Sequence, residues 1–383
     1  MRSSTSLGVL AAAAAVTLAG CGGHAPTAAG DGDQAGRADH ADHAGHAGHA
    51  DHGGHAGHVF GAPGDPGPDP AAQAAAPLGA VQVSVGAAPH ALALAGGSLW
   101  VADRDAGTLT PLDPTTLERR GESVVVGGEP VAAVAADDGT IWVADLAGNA
   151  AVPVDGTTGA VGAPVPVGKR PSGVAVAARG GGGNAGGGGP GEGDSIVWTA
   201  NGADGTVTRI DTSTGVTTTS ARVGFGLTAV AQHDGRLWVA ATLDRQVVPL
   251  DATTLLPAGP AVDVDAGATA LVATDDGIWV TASSAGTVTR IDPTTGVADA
   301  PVIVDALTGP GAGPSAVAAS SGALWVANSH DRTVVRVDPT NGTVAPPQFF
   351  ARAVSPSLAM GTVLADTGTV WVSDPVAGTV TRL

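Results

Sequence analysis

The sequence predicts an all-β fold, a seven-bladed β-propeller closed by an N-terminal strand. A signal peptide and a disordered His-rich tether come before it. Three observations carry this. Trp occurs seven times in 383 residues, as Trp100, Trp142, Trp198, Trp238, Trp279, Trp325 and Trp371. Six of them are followed thirteen residues later by Asp, at Asp113, Asp155, Asp211, Asp251, Asp292 and Asp338. Around these pairs the chain repeats one strand–turn–strand sentence, as in Gly277 to Gly296, and no stretch keeps a helical period over a useful length. Self-similarity at 40 to 56 residues is the mark of a repeat architecture.

Each repeat reads as four strands. In the second, small apolar residues (Val131 to Ala136) give a first strand, and Asp137-Asp138-Gly139 gives a turn. A strand around Trp142 follows, then Ala150 to Val154, then a fourth strand ending near Gly168. Runs rich in Val, Ile and Thr between Gly, Asp and Pro are strand signals. The Trp strands are apolar on both faces, as in Leu99-Trp100-Val101-Ala102, so each must be covered on both sides. Blades packed in a ring supply that cover. A Gly precedes each Trp strand (Gly97, Gly139, Gly193, Gly235, Gly277, Gly322, Gly368), where a tight hairpin needs positive φ. The repeated Asp is expected to close an Asx-turn on its own backbone and the Trp to pack between blades.

Residues 1–21 read as an export signal: Arg2, an apolar run from Leu7 to Leu18, then Leu18-Ala19-Gly20-Cys21. The run is short for a membrane span. The last four residues resemble the bacterial lipobox, which implies a diacylglyceryl thioether on Cys21. Cys21 is the only Cys, so no intramolecular disulfide can form. Residues 22–79 are dominated by Ala, Gly, Asp, His and Pro and read as a disordered linker of roughly 40 Å average reach. Within it His40, His43, His46, His49, His52, His55 and His58 recur every third residue. Neutral imidazoles on such a chain are candidate ligands for zinc, nickel or copper; the alternative is a repeat-expanded soluble linker. Residues 80–383 are the propeller. The stretch Ala80 to Gly86 matches the fourth strand of the repeats, and the chain ends on a third strand, GTVTRL. One blade built from both termini is therefore expected, which removes open edges. The Gly-rich insertion 179–194 reads as a loop without the Lys-Ser/Thr ending of a phosphate loop.

The units GTVTRIDTSTG, GTVTRIDPTTG and PSAVAASSGALWVAN resemble the YVTN-type and virginiamycin B lyase-like propeller repeats, which are close to NHL repeats. The resemblance spans residues 80–383. It implies the propeller fold, and a group that holds both antibiotic lyases and surface-binding proteins without a reaction.

In such a propeller the loops entering each first strand and those leaving each Trp strand share one face. They carry His90, Asp103, Arg104, Asp105, Glu129, Asp145, Lys169, Arg170, Asn201, Asp204, Asp244, Arg245, Asn328, His330, Asp331 and Asp374, while His233 falls on the opposite face. His90 and His330 are the candidates for a catalytic base or a ligand to magnesium or calcium at this face. Arg209, Arg290, Arg336 and Arg382 recur eleven residues after their Trp and are expected to pair with loop Asp. A formal charge of −18 argues against nucleic acid. The leading expectation is an exported lipoprotein on the outer face of the cell membrane, anchored through Cys21. Its monomeric propeller binds a protein or small molecule at the loop face without catalysis. The alternatives are a virginiamycin B lyase-like or lactonase-like metal-dependent enzyme, and a metal-handling lipoprotein that uses the His tract.

Overall fold

The computed structural model describes residues 14–15, 80–178, 195–304, 313–329, 332–349 and 361–383. Cys21, the His tract, the insertion 179–194 and the His330-Asp331 pair lie outside the described residues. The chain divides into two units, Met1–Leu18 with Ala74–Leu383, and Ala19–Gln73; only the first contains described residues.

The first unit is the expected seven-bladed propeller, and every described element is a strand. Blade 2 runs Pro130–Ala135, Thr140–Asp145, Ala150–Asp155 and Val165–Pro166 from the inside out, in simple antiparallel order. The outer strands are short because they meet solvent and have only one neighbour to pair with. The Trp strands are buried almost throughout, completely in Ser98–Asp103, because a neighbouring blade covers each face; only Trp325 among the seven Trp is half-buried. The hairpin glycines adopt the expected positive φ, 83° at Gly139 and 88° at Gly368.

The ring closes through both termini. Val81–Ser84 pairs antiparallel with Thr379–Arg382 and forms the outer strand of blade 7. The inner three strands of that blade are Val363–Asp366, Thr369–Asp374 and Thr379–Arg382. Ala14–Ala15 lies antiparallel to Gly173 and Val174 on the inner strand of blade 3.

The repeated Trp and Asp form one device. Asp113 Oδ1 accepts from the backbone N–H of Thr115 and Thr116, both at 2.8 Å, and Asp155, Asp251 and Asp292 repeat this Asx-turn. The carbonyl after the Asp then accepts the indole N–H of the preceding blade: Trp100 to Gly156 at 3.1 Å, Trp198 to Ala252 at 2.9 Å and, across the ring closure, Trp371 to Pro114 at 2.8 Å. Trp238 and Trp279 break the pattern: each buried indole N–H has no partner among the described residues, and at Trp238 it is Arg236 that takes the matching carbonyl, Pro293, at 2.9 Å. The expected Arg–Asp pairs form at Arg209–Asp211 (3.6 Å) and Arg290–Asp299 (2.9 Å). Arg336 and Arg382 make no ion pair among the described residues, although the Thr340 hydrogen bonds and, after them, the Arg336 charge help hold the Asp338 carboxyl below its ordinary range.

Candidate functional site

The loop face is built by connections entering each inner strand and by those leaving each Trp strand. Most of its distinctive polar residues are committed to the scaffold. The last residue of the Trp strand is the clearest case. Asp103 takes the N–H of Asp105 (3.1 Å) and Ala106 (3.0 Å) on one oxygen and that of Ala88 (3.4 Å) on the other. It thereby ties the outgoing loop of its blade to the incoming one. Asp145 does the same with Glu129 (3.0 Å), Gly128 (3.2 Å) and Gly148 (3.1 Å). Asp374 caps Val376 and Ala377 at 3.0 and 2.9 Å. Asn201 and Asn328 sit at the same place, fully buried among threonine hydroxyls. Asn328 Oδ1 has no partner among the described residues, whereas Asn201 Oδ1 accepts from Thr199 at 3.0 Å. Val326 stands where blade 3 has Thr199, so the missing hydroxyl explains the orphan oxygen.

His90 belongs to a second scaffold feature that was not read from the sequence. The second residue of each inner strand falls at a β-bulge in the blades that show a register shift, such as Pro89/Ala91 and Pro171/Gly173. Its side chain reaches across to the inner strand of the next blade. Ser172 donates to Leu227 O (2.6 Å), Thr228 to Ala268 O (3.1 Å), Thr269 to Pro314 O (3.0 Å), Ser315 to Gly361 O (3.1 Å) and Thr362 to His90 O. His90 is the blade 1 member. Its Nδ1–H donates to Val131 O at 3.2 Å, and the residue is 5% exposed. Val131 has no side-chain donor and breaks the belt between blades 2 and 3. The signal was a small polar residue at one fixed place in five of the inner strands. The Trp periodicity masks it because Ser and Thr also fill loops and strands nearby.

Burial, with the Arg104 charge next in size, lowers the His90 pKa to about 4; the Val131 bond and Asp105 oppose this. The ring is therefore neutral in the fold at physiological pH, and its place in the belt makes it a brick of the scaffold. The pH consequence has a definite sign. A His near 6.5 in the unfolded chain and near 4 in the fold binds more protons unfolded, so its contribution is intact above pH 6.5 and is lost as pH falls from 6.5 to 4. The loss is on the order of 3 kcal/mol. His90→Thr should keep the belt bond and abolish this step in melting temperature against pH. A second loss, below pH 4, should persist in both proteins. There the Asx-turn backbone N–H groups hold Asp113 down at about 2, chiefly through Thr116 with help from Arg120.

His330 and Asp331 lie outside the described residues, between Ser329, whose Oγ donates to Gly313 O at 3.0 Å, and Arg332. His90 and this loop are on blades 1 and 6, so the structure does not join the two candidate histidines in one described cluster. His233 is on the opposite, turn face as expected, beside Asp234 at 3.5 Å. It lines a cavity of about 570 Å³ at that face, with Asp137, Asp275 and Asp366. Among the described residues no group of three or more His, Cys, Asp or Glu is placed to hold a metal ion.

A further position went unread in the sequence. The residue just before each third strand has positive φ in every blade. Gly fills it four times (Gly107, 67°; Gly205, 69°; Gly286, 71°; Gly378, 67°), Asn149 once (55°), and Arg245 (58°) and Arg332 (55°) in the remaining two. A Cβ on Gly107 would lie 2.0 Å from Gly127 O, which shows how closely the two loop sets approach. Arg332 is buried, its Nε 3.8 Å from Asp374. Arg245 is exposed.

No family model matches the chain, and no curated protein sequence matches it. Solved structures do. A streptogramin B lyase aligns at TM-score 0.60 and 12% identity over 79% of this chain and 96% of its own. The virginiamycin B lyase of Staphylococcus aureus aligns at 0.61 and 13% over 79% and 98%. The hydrazine synthase of Kuenenia stuttgartiensis aligns at 0.63 and 15% over 79% and 97%. The structural neighbours are thus virginiamycin B lyase-like seven-bladed propellers, and the likeness establishes the fold.

Proposed function

We propose that the chain is an exported, membrane-anchored lipoprotein whose propeller binds a protein or small-molecule partner at its loop face, without catalysis. One observation carries the binding half of this reading. The described polar residues that could have formed a reactive centre there are spent on the scaffold: Asp103, Asp145 and Asp374 as loop caps, His90 in the belt. What the face presents to solvent is loop tips of both charges with apolar side chains among them, such as Asp105, Lys169, Arg170, Asp244, Arg245 and Leu243, which suit recognition. The anchoring half rests on the lipobox-like Leu18-Ala19-Gly20-Cys21. Cys21→Ser should move the protein from the detergent phase to the aqueous phase on partitioning; retention in the detergent phase rejects the lipid anchor. For the binding half, immobilised Cys21→Ser protein should capture a ligand from conditioned medium that a Lys169→Glu/Arg170→Glu variant fails to capture. Equal capture by both removes the loop face from the reading.

A second reading draws on the fold shared with the two lyases. It is a lyase-like or lactonase-like reaction in which His330, with a magnesium or calcium ion, serves as base or ligand.

A further inference from the structure

Between blades 7 and 1, on the turn face, lies a cavity of about 480 Å³. Two features of blade 1 open it. Its inner hairpin, Ala95-Gly96-Gly97-Ser98, carries almost no side chain. Its Asx-turn holds Pro114 at a place where blades 2, 3 and 4 have a backbone donor. There Gly156 donates to Gly139 O (3.0 Å), Thr212 to Ser195 O (3.1 Å) and Ala252 to Gly235 O (2.9 Å), and each bond ties the turn to its hairpin. Pro114 has no N–H to give. The Gly97 carbonyl goes to Arg120 instead, which also pairs with Asp113 at 2.6 Å. Blades 5 and 6 share the proline, as Pro293 and Pro339, but their hairpins bear the side chains of Asp275-Asp276 and Ser320-Ser321.

Blade 7 supplies the other wall. Thr369 and Trp371 alternate along the Trp strand, and the register sets Asp366 opposite Thr369 and Arg382 opposite Trp371. All four side chains therefore share the face toward blade 1, and all four line the cavity. Arg382 is the unusual one. Its Nε–H is buried without a partner, and its guanidinium makes no ion pair among the described residues. Leu383 faces the other way, packed against the cluster between blades 6 and 7. At the same place in other blades Arg209 has Asp211, Arg290 has Asp299, and Arg336 is exposed to water. A buried donor without an acceptor is costly, so the position calls for an anion. Asp366 stands at the inner end of the cavity, exposed and also without an ion pair among the described residues. It borders the larger turn-face cavity as well, whose Asp137, Asp234 and Asp275 add to the negative side. The cavity is thus positive toward the rim of the ring and negative toward its centre.

We propose that this cavity binds a free α-amino acid with an apolar side chain. Arg382 and Asp366 lie two strand spacings apart, about 10 Å between backbones, and their side chains line one cavity without meeting. A zwitterion spans that gap, its carboxylate on the guanidinium and its ammonium on Asp366. A simple anion would leave Asp366 facing it, and a simple cation would leave Arg382 unanswered. Leu94, Pro114 and Trp371 form the apolar part of the wall, and the space over Gly96 and Gly97 admits the side chain. The volume lies within the range of small-molecule sites.

The inference concerns the turn face, so its failure would leave the loop-face reading untouched. The test is isothermal titration of the full Cys21→Ser chain with L-leucine, N-acetyl-leucine and leucine amide. L-Leucine should bind at one site. Each analogue lacks one charge and should bind at least about tenfold more weakly. Arg382→Gln and Asp366→Asn should each weaken L-leucine by a similar factor, while Arg245→Ala on the loop face should not. Arg382→Gln should also keep or raise the melting temperature, because it removes the orphan Nε–H. Weaker binding in a protein at least as stable is a combination that misfolding cannot produce. No binding of L-leucine up to about 10 mM, equal binding of both analogues, or binding indifferent to both substitutions overturns the proposal.

Discussion

Deleting residues 80–86 should lower the melting temperature by about 10 °C or more, the largest effect expected of any small change to this chain. The deletion removes the outer strand of blade 7 and its four register pairs with Thr379–Arg382. It also removes Val85, buried among Leu92, Leu99, Leu364 and Trp371 where blade 7 meets blade 1, and the Val85 N–H bond to Gly378 O (2.9 Å). Several kcal/mol of burial and backbone pairing go together. The exposed Thr379–Arg382 edge should also promote association between molecules. Thermal melting and light scattering read both. An unchanged melting temperature would show that the ring does not depend on its terminal strand.

Trp238→Ala should cost about 3–5 kcal/mol. Trp238 is wholly buried and packs in the largest core cluster, beside Ala268, Ala270 and Trp279. Its unsatisfied N–H makes a sharper comparison possible. Trp238→Phe removes an orphan donor along with some volume, whereas Trp198→Phe breaks the 2.9 Å bond to Ala252. Denaturant unfolding should therefore rank Trp198→Phe as more damaging than Trp238→Phe. The reverse order would contradict the Trp–turn linkage between blades.

That linkage shows how far the sequence could be read. The thirteen-residue interval ties each Trp to the Asp of its own repeat, yet the indole bonds to the turn of the next repeat, some 55 residues away, as with Trp100 and Gly156. Periodicity reveals which residues recur, and the blade order follows from it; contacts between copies need the ring. Terminal closure was legible because Ala80 to Gly86 reads as a fourth strand without its first three. The candidate site was much less so. Asp103 and Asp145 look like free carboxylates in sequence, because the N–H groups they cap carry no side-chain signature. His90 looks like a potential base because nothing local reveals that its position belongs to a belt of hydroxyls. Arg245 resembles an ordinary loop cation until its φ of 58° is seen beside the glycines of other blades.

The most direct test of the loop face as a binding surface is a turnover assay. The Cys21→Ser chain should be incubated with cyclic depsipeptide and sugar lactones, with and without magnesium or calcium, alongside His330→Ala and His90→Thr. The account predicts no metal-dependent ring opening by any of the three proteins. Metal-dependent opening that disappears in His330→Ala would contradict it and make the loop face an active site.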